Sequence, residues 1–440
     1  MRKAIAKSMI LRGNRENYLK ELRALEWAST EEIRAYQAKK LEAALRDARK
    51  NVPYYRERAK GDRLEDFPVL SRLDIQHYAE QMTVPERIDK SIRKDTTSGT
   101  TGQPISFIQS REHWERGIAL NLLFYEWAGV EPGDPFVKLW SNFPAHTWYA
   151  TMRNNLSNWV RNTTVMNPFE LRPAIMDGYV KEIQRIKPKG MLAYVMPVYE
   201  FAKYLEREKI DFAFPGSVMT SVATLTPHMR ETVERVLQCH VYDRYGSREM
   251  MDMACDCDRH EGLHVNPYLQ YIEILDEDDQ PCPPGQTGRI VVTQLHNPVM
   301  PMIRYDTRDY GSWADQPCSC GRNWPMLKQI DGRRINMFRF RDGGCMSSYY
   351  LIYHVTHTIG EEKIKKQQMI QEDYAHYRVK MVLYQPEIWA SLEAEREQVI
   401  AIISERVGEP VRIDFELCDD IPNQSSGKFL QSICNIQEAD

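Results

Sequence analysis

Asp95-Thr96-Thr97-Ser98-Gly99-Thr100-Thr101-Gly102-Gln103-Pro104 is the stretch on which the fold turns. None of its side chains could fill a hydrophobic core. Pro104 ends the run, and Ile105-Ser106-Phe107-Ile108 resumes an apolar, strand-like pattern. A loop of this kind can turn its backbone N–H groups inward as a nest, with hydroxyls beside them, and that geometry suits a polyphosphate. A flexible surface turn is the alternative for any Ser/Thr/Gly run. The loop is not of Walker A type, because no G-K-S/T follows.

Around this loop the chain has the means to build a large core. It has 440 residues, 42% hydrophobic and 27% charged, enough for more than one domain. The net charge of −4 lacks the basic balance that general nucleic-acid binding needs, so no nucleic-acid partner is expected. No apolar run approaches the roughly 18–20 residues of a membrane span, so no membrane partner is expected. The apolar stretch Met9-Ile10-Leu11 breaks at Arg12-Gly13-Asn14, too soon for a signal peptide, and a cytoplasmic location is expected. Nine cysteines make an odd count in a long chain, so clustered cysteines read as metal ligands or free thiols rather than disulfides.

Upstream of the loop, residues 15–50 read as helices. Ser29 and Glu32 form a capping box, and Ile33, Leu41, Leu45 and Ala48 keep one helical face. Asn51-Val52-Pro53 stops it, and Tyr54 and Tyr55 follow. Downstream, strand-like and helical segments alternate. Residues 136–140, 190–195 and 218–222 read as strands, 199–206 and 227–237 as helices. That alternation predicts an α/β sheet.

In Val241-Tyr242-Asp243-Arg244-Tyr245-Gly246-Ser247-Arg248-Glu249 a short strand runs into a Gly turn and then a carboxylate. Tyr245 could stack on a base, Gly246 would let a nucleotide approach, and Glu249 could hold Mg²⁺. A strand-end turn with an exposed acid is the alternative. From Leu269 the pattern turns β, with Tyr271–Leu275 and Arg289–Thr293 expected to pair. Tyr305-Asp306-Thr307-Arg308-Asp309 follows, then Asp331-Gly332-Arg333-Arg334-Ile335-Asn336. Beyond it, alternation at Tyr377, Val379, Met381 and Leu383 and again at Val411, Ile413, Phe415 and Leu417 flanks a helix ending at Gly408. This is a small α+β domain, and near its end lies Ser425-Ser426-Gly427-Lys428. A lone Lys in such a turn is by itself a solvated surface charge.

Cys257 and His264 form one close pair, and Cys318-Ser319-Cys320-Gly321 a second. Two pairs on short loops can close one tetrahedral Cys₃His site, with Cys255 and His260 as nearby alternatives and a set of unrelated thiols as the other reading. Four protein ligands leave no open coordination position, so such a metal fastens loops and does not catalyse.

The order T-S-G-T-T-G-x-P, then Y-G-S-R-E, Y-D-T-R-D, D-G-R-R-I-N and S-G-K resembles the motif set of the adenylate-forming superfamily from end to end. That superfamily includes acyl-CoA synthetases, peptide-synthetase adenylation domains and luciferases. Val52-Pro53-Tyr54-Tyr55, and C-x(n)-H followed by C-x-C-G, resemble its phenylacetate-CoA-ligase and coenzyme-F390-synthetase-like branch. The resemblance implies a large α/β adenylation domain with a β-rich subdomain over 1–335, and a small mobile α+β lid over 336–440. It implies that Thr97, Ser98, Gly99, Thr100, Thr101 and Gly102 wrap ATP phosphates, with Tyr245 and Gly246 at the nucleotide. Asp309 and Arg333 would serve the ribose, Glu249 the Mg²⁺, and Lys428 the adenylation step. Zinc on Cys257, His264, Cys318 and Cys320 is structural in that branch. Departures from the pattern are Ile105 in place of a Lys, Arg248 in place of Ser or Thr, and Arg308 in place of Gly. Ile335-Asn336 stands in place of a hinge Asp, and no acid lies in Thr220-Ser221-Val222-Ala223-Thr224, where an adenine-site Glu is usual.

The implied activity is that of an acid–thiol ligase. A carboxylic acid, an aromatic one by this branch, is activated by ATP to an acyl-adenylate and passed to CoA or a carrier-protein thiol. An adenylyltransferase or amide ligase using a hydroxyl or amine is the alternative, and so is a non-catalytic binding protein of the same fold. Association as a homodimer is left open.

Overall fold

The computed structural model describes residues 2–96, 105–140, 148–331, 337–342, 345–422 and 430–436. The expected phosphate-loop residues Thr97 to Gly102, the hinge with Arg333, and Lys428 lie outside the described residues. At the N-terminal side, Ser29 caps the helix Thr30–Asn51 by accepting from the Glu32 amide, and Glu32 returns the bond, which is the expected capping box. Pro53 opens the next helix, Pro53–Arg58, as proline at a first helical position does. The Tyr55 ring is fully buried, donates to the Pro301 carbonyl at 3.0 Å and accepts from the Ile303 amide at 3.0 Å. That tyrosine therefore fixes the segment leading into Tyr305.

The stems of the Ser/Thr/Gly loop form a hairpin. Strand β1 (Arg93–Thr96) pairs antiparallel with β2 (Ser106–Gln109), and Thr96 opposes Ser106. Strands β3 (Phe136–Leu139), β4 (Thr163–Met166), β6 (Gly190–Tyr194), β7 (Ser217–Ser221) and β8 (Val241–Ser247) build a parallel sheet in the order β4-β3-β6-β7-β8. The short β5 (Glu170–Leu171) lies outside that sheet. The chain passes outward from β3 to β4, then returns to β6 on the other side of β3. A crevice opens at such a reversal, outside the C-terminal ends of the strands, and ligands bind there in open α/β sheets. Helices cover both faces. Helix Arg111–Trp127 packs on one beside Leu192, Met219 and Tyr242, and helices Pro173–Ile186, Val195–Arg207 and Pro227–Leu237 pack on the other.

Strand β8 is the hinge of the architecture. It runs parallel to β7 and antiparallel to β9 (Met251–Cys255), where the sheet changes character. Antiparallel strands β10 (Leu263–Val265), β11 (Gln270–Leu275), β12 (Gly288–Gln294), β13 (Tyr305–Trp313) and β14 (Met326–Asp331) continue it in the order β9-β10-β14-β13-β12-β11. The expected pairing of Tyr271 with Thr293 and of Leu275 with Arg289 is present.

Past the hinge segment, β15 (Met337–Arg339) and β16 (Cys345–Ser347) form a hairpin that adds onto β5. Strands β17 (Ile364–Asp373), β18 (His376–Leu383), β19 (Arg412–Leu417) and β20 (Ser432–Cys434) then make a separate sheet in the order β19-β18-β17-β20. Its core, with Tyr377, Val379 and Met381 from β18 and Val399 and Ile403 from the helix Glu393–Val407, is its own. The sequence places Pro386 near the start of that helix, but Pro386–Leu392 is wound as a 3₁₀ segment and the α-helix begins at Glu393. Gly408, with φ 83°, terminates it as expected.

Candidate functional site

The Y-G-S-R-E stretch continues β8 through Gly246 and Ser247 before turning at 248–250, so the strand persists one step beyond the expected glycine turn. Gly246 is needed for proximity: a Cβ there would meet the Met251 carbonyl oxygen at 2.5 Å. The bulge in register between Tyr245 and Gly246 re-aims the residues that follow. Glu249, at the turn, is buried. Its Oε1 accepts from the Tyr305 hydroxyl at 3.1 Å, and its carbonyl accepts from Gln294 Nε2 at 2.8 Å. The alternative of an exposed strand-end acid therefore fails.

Tyr245 donates to Asp309 Oδ2 at 3.0 Å. Strands β8 and β13 are separated by β9, β10 and β14 in the sheet order. In a flat sheet four strand spacings would hold them about 19 Å apart. The sheet must curl strongly to close this bond, and the curl brings Tyr245, Glu249, Tyr305 and Asp309 to one place. Burial, and then the Asp309 carboxylate, hold the Tyr245 phenol far above its ordinary range, so it stays a donor. Arg308 carries φ 63°, the left-handed region. The glycine expected at this position is thus a conformational requirement that Arg308 meets under strain, a cost of about 1–2 kcal/mol.

The loop stems meet the same turn. Arg248 Nη1 donates to the Thr96 carbonyl at 2.9 Å, so the Arg that replaces Ser or Thr ties the base of the loop to the Glu249 turn. Gln109 Nε2 lies 3.4 Å from the carbonyls of both Arg248 and Glu249. Ile105, at the position where the resemblance leads one to expect a Lys, is fully buried in the core. Neither Arg248 nor Gln109 was legible as a contact, since nothing in their local spacing marks a partner across the fold.

A cavity of about 1680 Å³ opens at this point and runs along the C-terminal ends of β8, β7, β6 and β3. Tyr245, Gly246, Glu249 and Asp309 line it near the loop stems, and Trp140, Phe169 and Tyr194 line it at the crevice of strand reversal. Trp140 and Tyr194 have ring centroids 4.3 Å apart. Read from sequence, either an aromatic slot or core packing suits both residues, and the structure places them on the cavity wall. The segment Ser221–Thr226 lines the cavity as well, and Val222 adopts φ 83°, a strained conformation for a β-branched residue. No acid was found there in sequence, but one arrives from the neighbouring strand. Thr220 Oγ1 donates to Asp243 Oδ1 at 3.0 Å, and burial, with Asp256 nearby, pushes the Asp243 carboxyl up to about 7. Pairing between β7 and β8 supplies that group, and periodicity alone could not.

The cysteine cluster forms as read. Ligand atoms of Cys257, His264, Cys318 and Cys320 all lie within 4.8 Å of one another. Cys257 and Cys318 sulfurs are 3.6 Å apart, and Cys320 Sγ is 3.5 Å from His264 Nε2. Amides of Arg259 and Arg322 point at the Cys257 and Cys320 sulfurs at 3.5 and 3.4 Å. Burial outweighs this at Cys257 and holds its thiol above the ordinary range, while at Cys320 burial is outweighed by the hydrogen bonds, which hold the thiol below it. Burial drives the His264 pKa down to about 4, leaving a neutral imidazole free to ligate. Three sulfurs and one imidazole, largely buried, fit a four-coordinate metal. Cys255 and His260 are not in the cluster; His260 instead pairs with Asp256 at 3.0 Å. The cluster joins the β9–β10 connection to the β13–β14 connection.

The family of the CapK C-terminal domain matches residues 340–435. Over 88% of this chain and 86% of the other protein, the sequence is 21% identical to Protein CapK of Staphylococcus aureus. It is 27% identical to the phenylacetate-coenzyme A ligase of Pseudomonas putida over 65% of this chain and 67% of that one. Among solved structures, 2-hydroxyisobutyryl-CoA ligase with 2-HIB-AMP and CoA in the thioesterification state superimposes with a TM-score of 0.63. That match covers 94% of this chain and 92% of the other at 20% identity. The chain is thus similar in sequence to phenylacetate-CoA ligases and to CapK, and it shares the fold of an acyl-CoA ligase. The superfamily's loop, turn and acid motifs converge here as far as the described residues extend.

Proposed function

We propose that the chain is an AMP-forming acid–thiol ligase. A substrate carboxylate oxygen attacks the α-phosphorus of ATP, the bond to the β-phosphate bridging oxygen breaks, and pyrophosphate leaves. The thiol, that of CoA, then attacks the acyl carbon and AMP departs with the carboxyl oxygen. The observation that carries this reading is the convergence of the loop stems, Glu249 and the Tyr245–Asp309 pair on one cavity at the C-terminal edge of the sheet. Asp309 would accept the ribose hydroxyls, with two carboxylate oxygens for a vicinal diol. Arg333 would assist at the ribose, and Tyr245 with Gly246 would face the nucleotide. Residues Thr97 to Gly102 would hold the β and γ phosphates. Glu249 offers its carboxylate to Mg²⁺, which when bound neutralises phosphate charge. The crevice walled by Trp140 and Tyr194 suits a flat, apolar acid.

We further propose domains of 1–335 and 336–440, with the second carrying Lys428 into and out of the site. The observed orientation is fastened by the pairing of β16 with β5 and by side chains: Arg172 donates to the Arg406 and Val407 carbonyls and pairs with Asp342, Arg339 pairs with the buried Glu200, and Phe169 stacks on Tyr350 at 5.2 Å. A rotation would have to release them. The metal proposed for the Cys₃His cluster is structural zinc. Among the described residues no helix is long and apolar enough to cross a membrane. The reduced thiols that the cluster needs suit the cytoplasm, the compartment proposed.

The test is pyrophosphate exchange into ATP with a panel of aryl and acyl carboxylates, followed by addition of CoA. Acid-dependent exchange, with thioester formed only when CoA is present, is the expected result. Product formed with an amine or hydroxyl and not with CoA would overturn the choice of acceptor, and absence of exchange with every acid would overturn the reaction. Within this scheme Asp309→Ala should raise the KM for ATP by about ten-fold or more with little change in kcat, because the ribose contacts are equal in ground and transition states. Tyr245→Phe, which leaves the carboxylate in place, should cost less. Equal falls in kcat for the two variants would show that the pair positions the reacting groups instead.

A further inference from the structure

The helix Trp148–Val160 shows an apolar stripe to solvent. Met152, Leu156 and Trp159 are 52%, 60% and 61% exposed, and their spacing puts them on one helical face. The helix Arg2–Ile10 lies against it and leaves Ile5 and Met9, one turn apart, exposed as well. The two helices are fastened together. The Arg2 guanidinium sits 5.3 Å from the Trp159 ring centroid and donates to the Trp159 carbonyl at 3.1 Å. Lys3 binds Glu131 and Asp134 at 2.8 and 2.7 Å, and a Cβ on Gly133 would meet the Lys3 carbonyl at 2.4 Å. The N-terminal helix is thus seated closely and does not shield the stripe.

The charge around this face is one-sided. No Asp or Glu precedes Glu16, and none occurs between Asp134 and Glu170, in a chain whose net charge is −4. Lys7, Arg12, Arg153 and Arg161 are all exposed there, and none forms an ion pair among the described residues. Arg12 lies within electrostatic reach of Arg161, and the acids that approach the two helices are Glu115, beside Gly13 and Asn14, and Glu131 and Asp134, both held by Lys3. A second copy of the chain is a poor partner for such a face, since it would bring the same cations opposite.

We propose that the helices Arg2–Ile10 and Trp148–Val160 form a docking surface for an anionic lipid bilayer. Trp159, Leu156 and Met152 would enter the headgroup region and the arginines and lysines would meet lipid phosphates. Tryptophan with aliphatic neighbours and a basic rim is the composition that binds membrane interfaces without spanning them. The sequence alone pointed to no membrane partner because it was searched for spans. The exposed stripe becomes visible only when the fold leaves it uncovered. The inference is independent of the proposed ligase reaction, since none of these residues lines the cavity.

The experiment is sedimentation of the full chain with vesicles of phosphatidylcholine alone and of phosphatidylcholine mixed with phosphatidylglycerol. Binding to the mixed vesicles only, weakened by salt, is expected. Arg153→Gln with Arg161→Gln should weaken it by about five-fold per arginine. Trp159→Ser with Leu156→Ser should weaken it on the order of ten-fold, with no loss of thermal stability because the residues are exposed. If that second pair does not fold, the arginine pair alone decides. Equal binding to both vesicle types, or none to either, overturns the proposal. So does a wild-type dimer in light scattering that Trp159→Ser with Leu156→Ser converts to a monomer, which would make the face a self-association surface. Binding to double-stranded DNA without binding to the anionic vesicles would overturn it too.

Discussion

Lys428→Ala is expected to reduce pyrophosphate exchange by about 10²–10³-fold, the range for one lost transition-state donor. Conversion of a chemically prepared acyl-adenylate to thioester by CoA should be far less affected. The physical ground is charge. Bringing a carboxylate to the α-phosphorus of ATP forces two anions together, and a cation beside them offsets the repulsion only while the adenylate forms. The chain around Lys428 supplies a firm base for such a cation. Ile421 is buried and its carbonyl accepts from Lys366, while Gln368 Nε2 donates to the Leu430 carbonyl at 2.6 Å and β20 pairs in parallel with β17 from Ser432. The small sheet therefore grips both flanks of the segment. Thiol attack requires a vacated channel, so the lysine should withdraw before the second step. A variant that loses both half-reactions equally would show that Lys428 serves the structure of the small domain, or that the two-position scheme does not apply.

What could be read in the sequence and what could not differ by the range over which the information acts. The capping box at Ser29, the hairpin from Tyr271 to Thr293 and the Gly408 helix stop are local, and each stands where it was read. The convergence of Cys257, His264, Cys318 and Cys320 was legible because short-range Cys/His pairs carry a signal in their spacing. Glu249 could be named, but its burial under Tyr305 could not, since an acid at a strand end has no sequence mark for solvent exposure. The contact between Tyr245 and Asp309 depends on how far a sheet curls over three intervening strands, and no window of sequence holds that. Asp243 was missed for the same reason: its partner Thr220 belongs to the neighbouring parallel strand. Sequence alone does not separate an aromatic slot from core packing for Trp140 and Tyr194. The reversal of strand order between β3 and β6 opened a crevice there.

Cys318→Ser should cost this protein its bound metal and a large part of its stability together. Metal analysis of freshly purified wild type is expected to give one zinc per chain, and the variant close to none. The physical ground is linkage. A cluster of three thiolates and an imidazole does not exist in the unfolded chain, so metal binding free energy is also folding free energy. In isolated zinc-finger peptides that quantity is about 10–16 kcal/mol, and a large domain with its own core depends on it for only a part. Loss of the order of 3 kcal/mol or more is expected here, with a fall in thermal midpoint of about 4 °C or more. Three features place the damage. The cluster clips the β9–β10 connection to the β13–β14 connection, so its loss loosens the curl that brings Tyr245 to Asp309. Cys257 and His264 have almost no exposed surface, so the thiol and imidazole left behind would be buried without a metal to bind. Cys255→Ser, a neighbour outside the cluster, should retain zinc and so serves as the control. Wild type that carries no metal, or a Cys318→Ser variant that keeps it, would show that these four side chains are packed thiols and a core histidine.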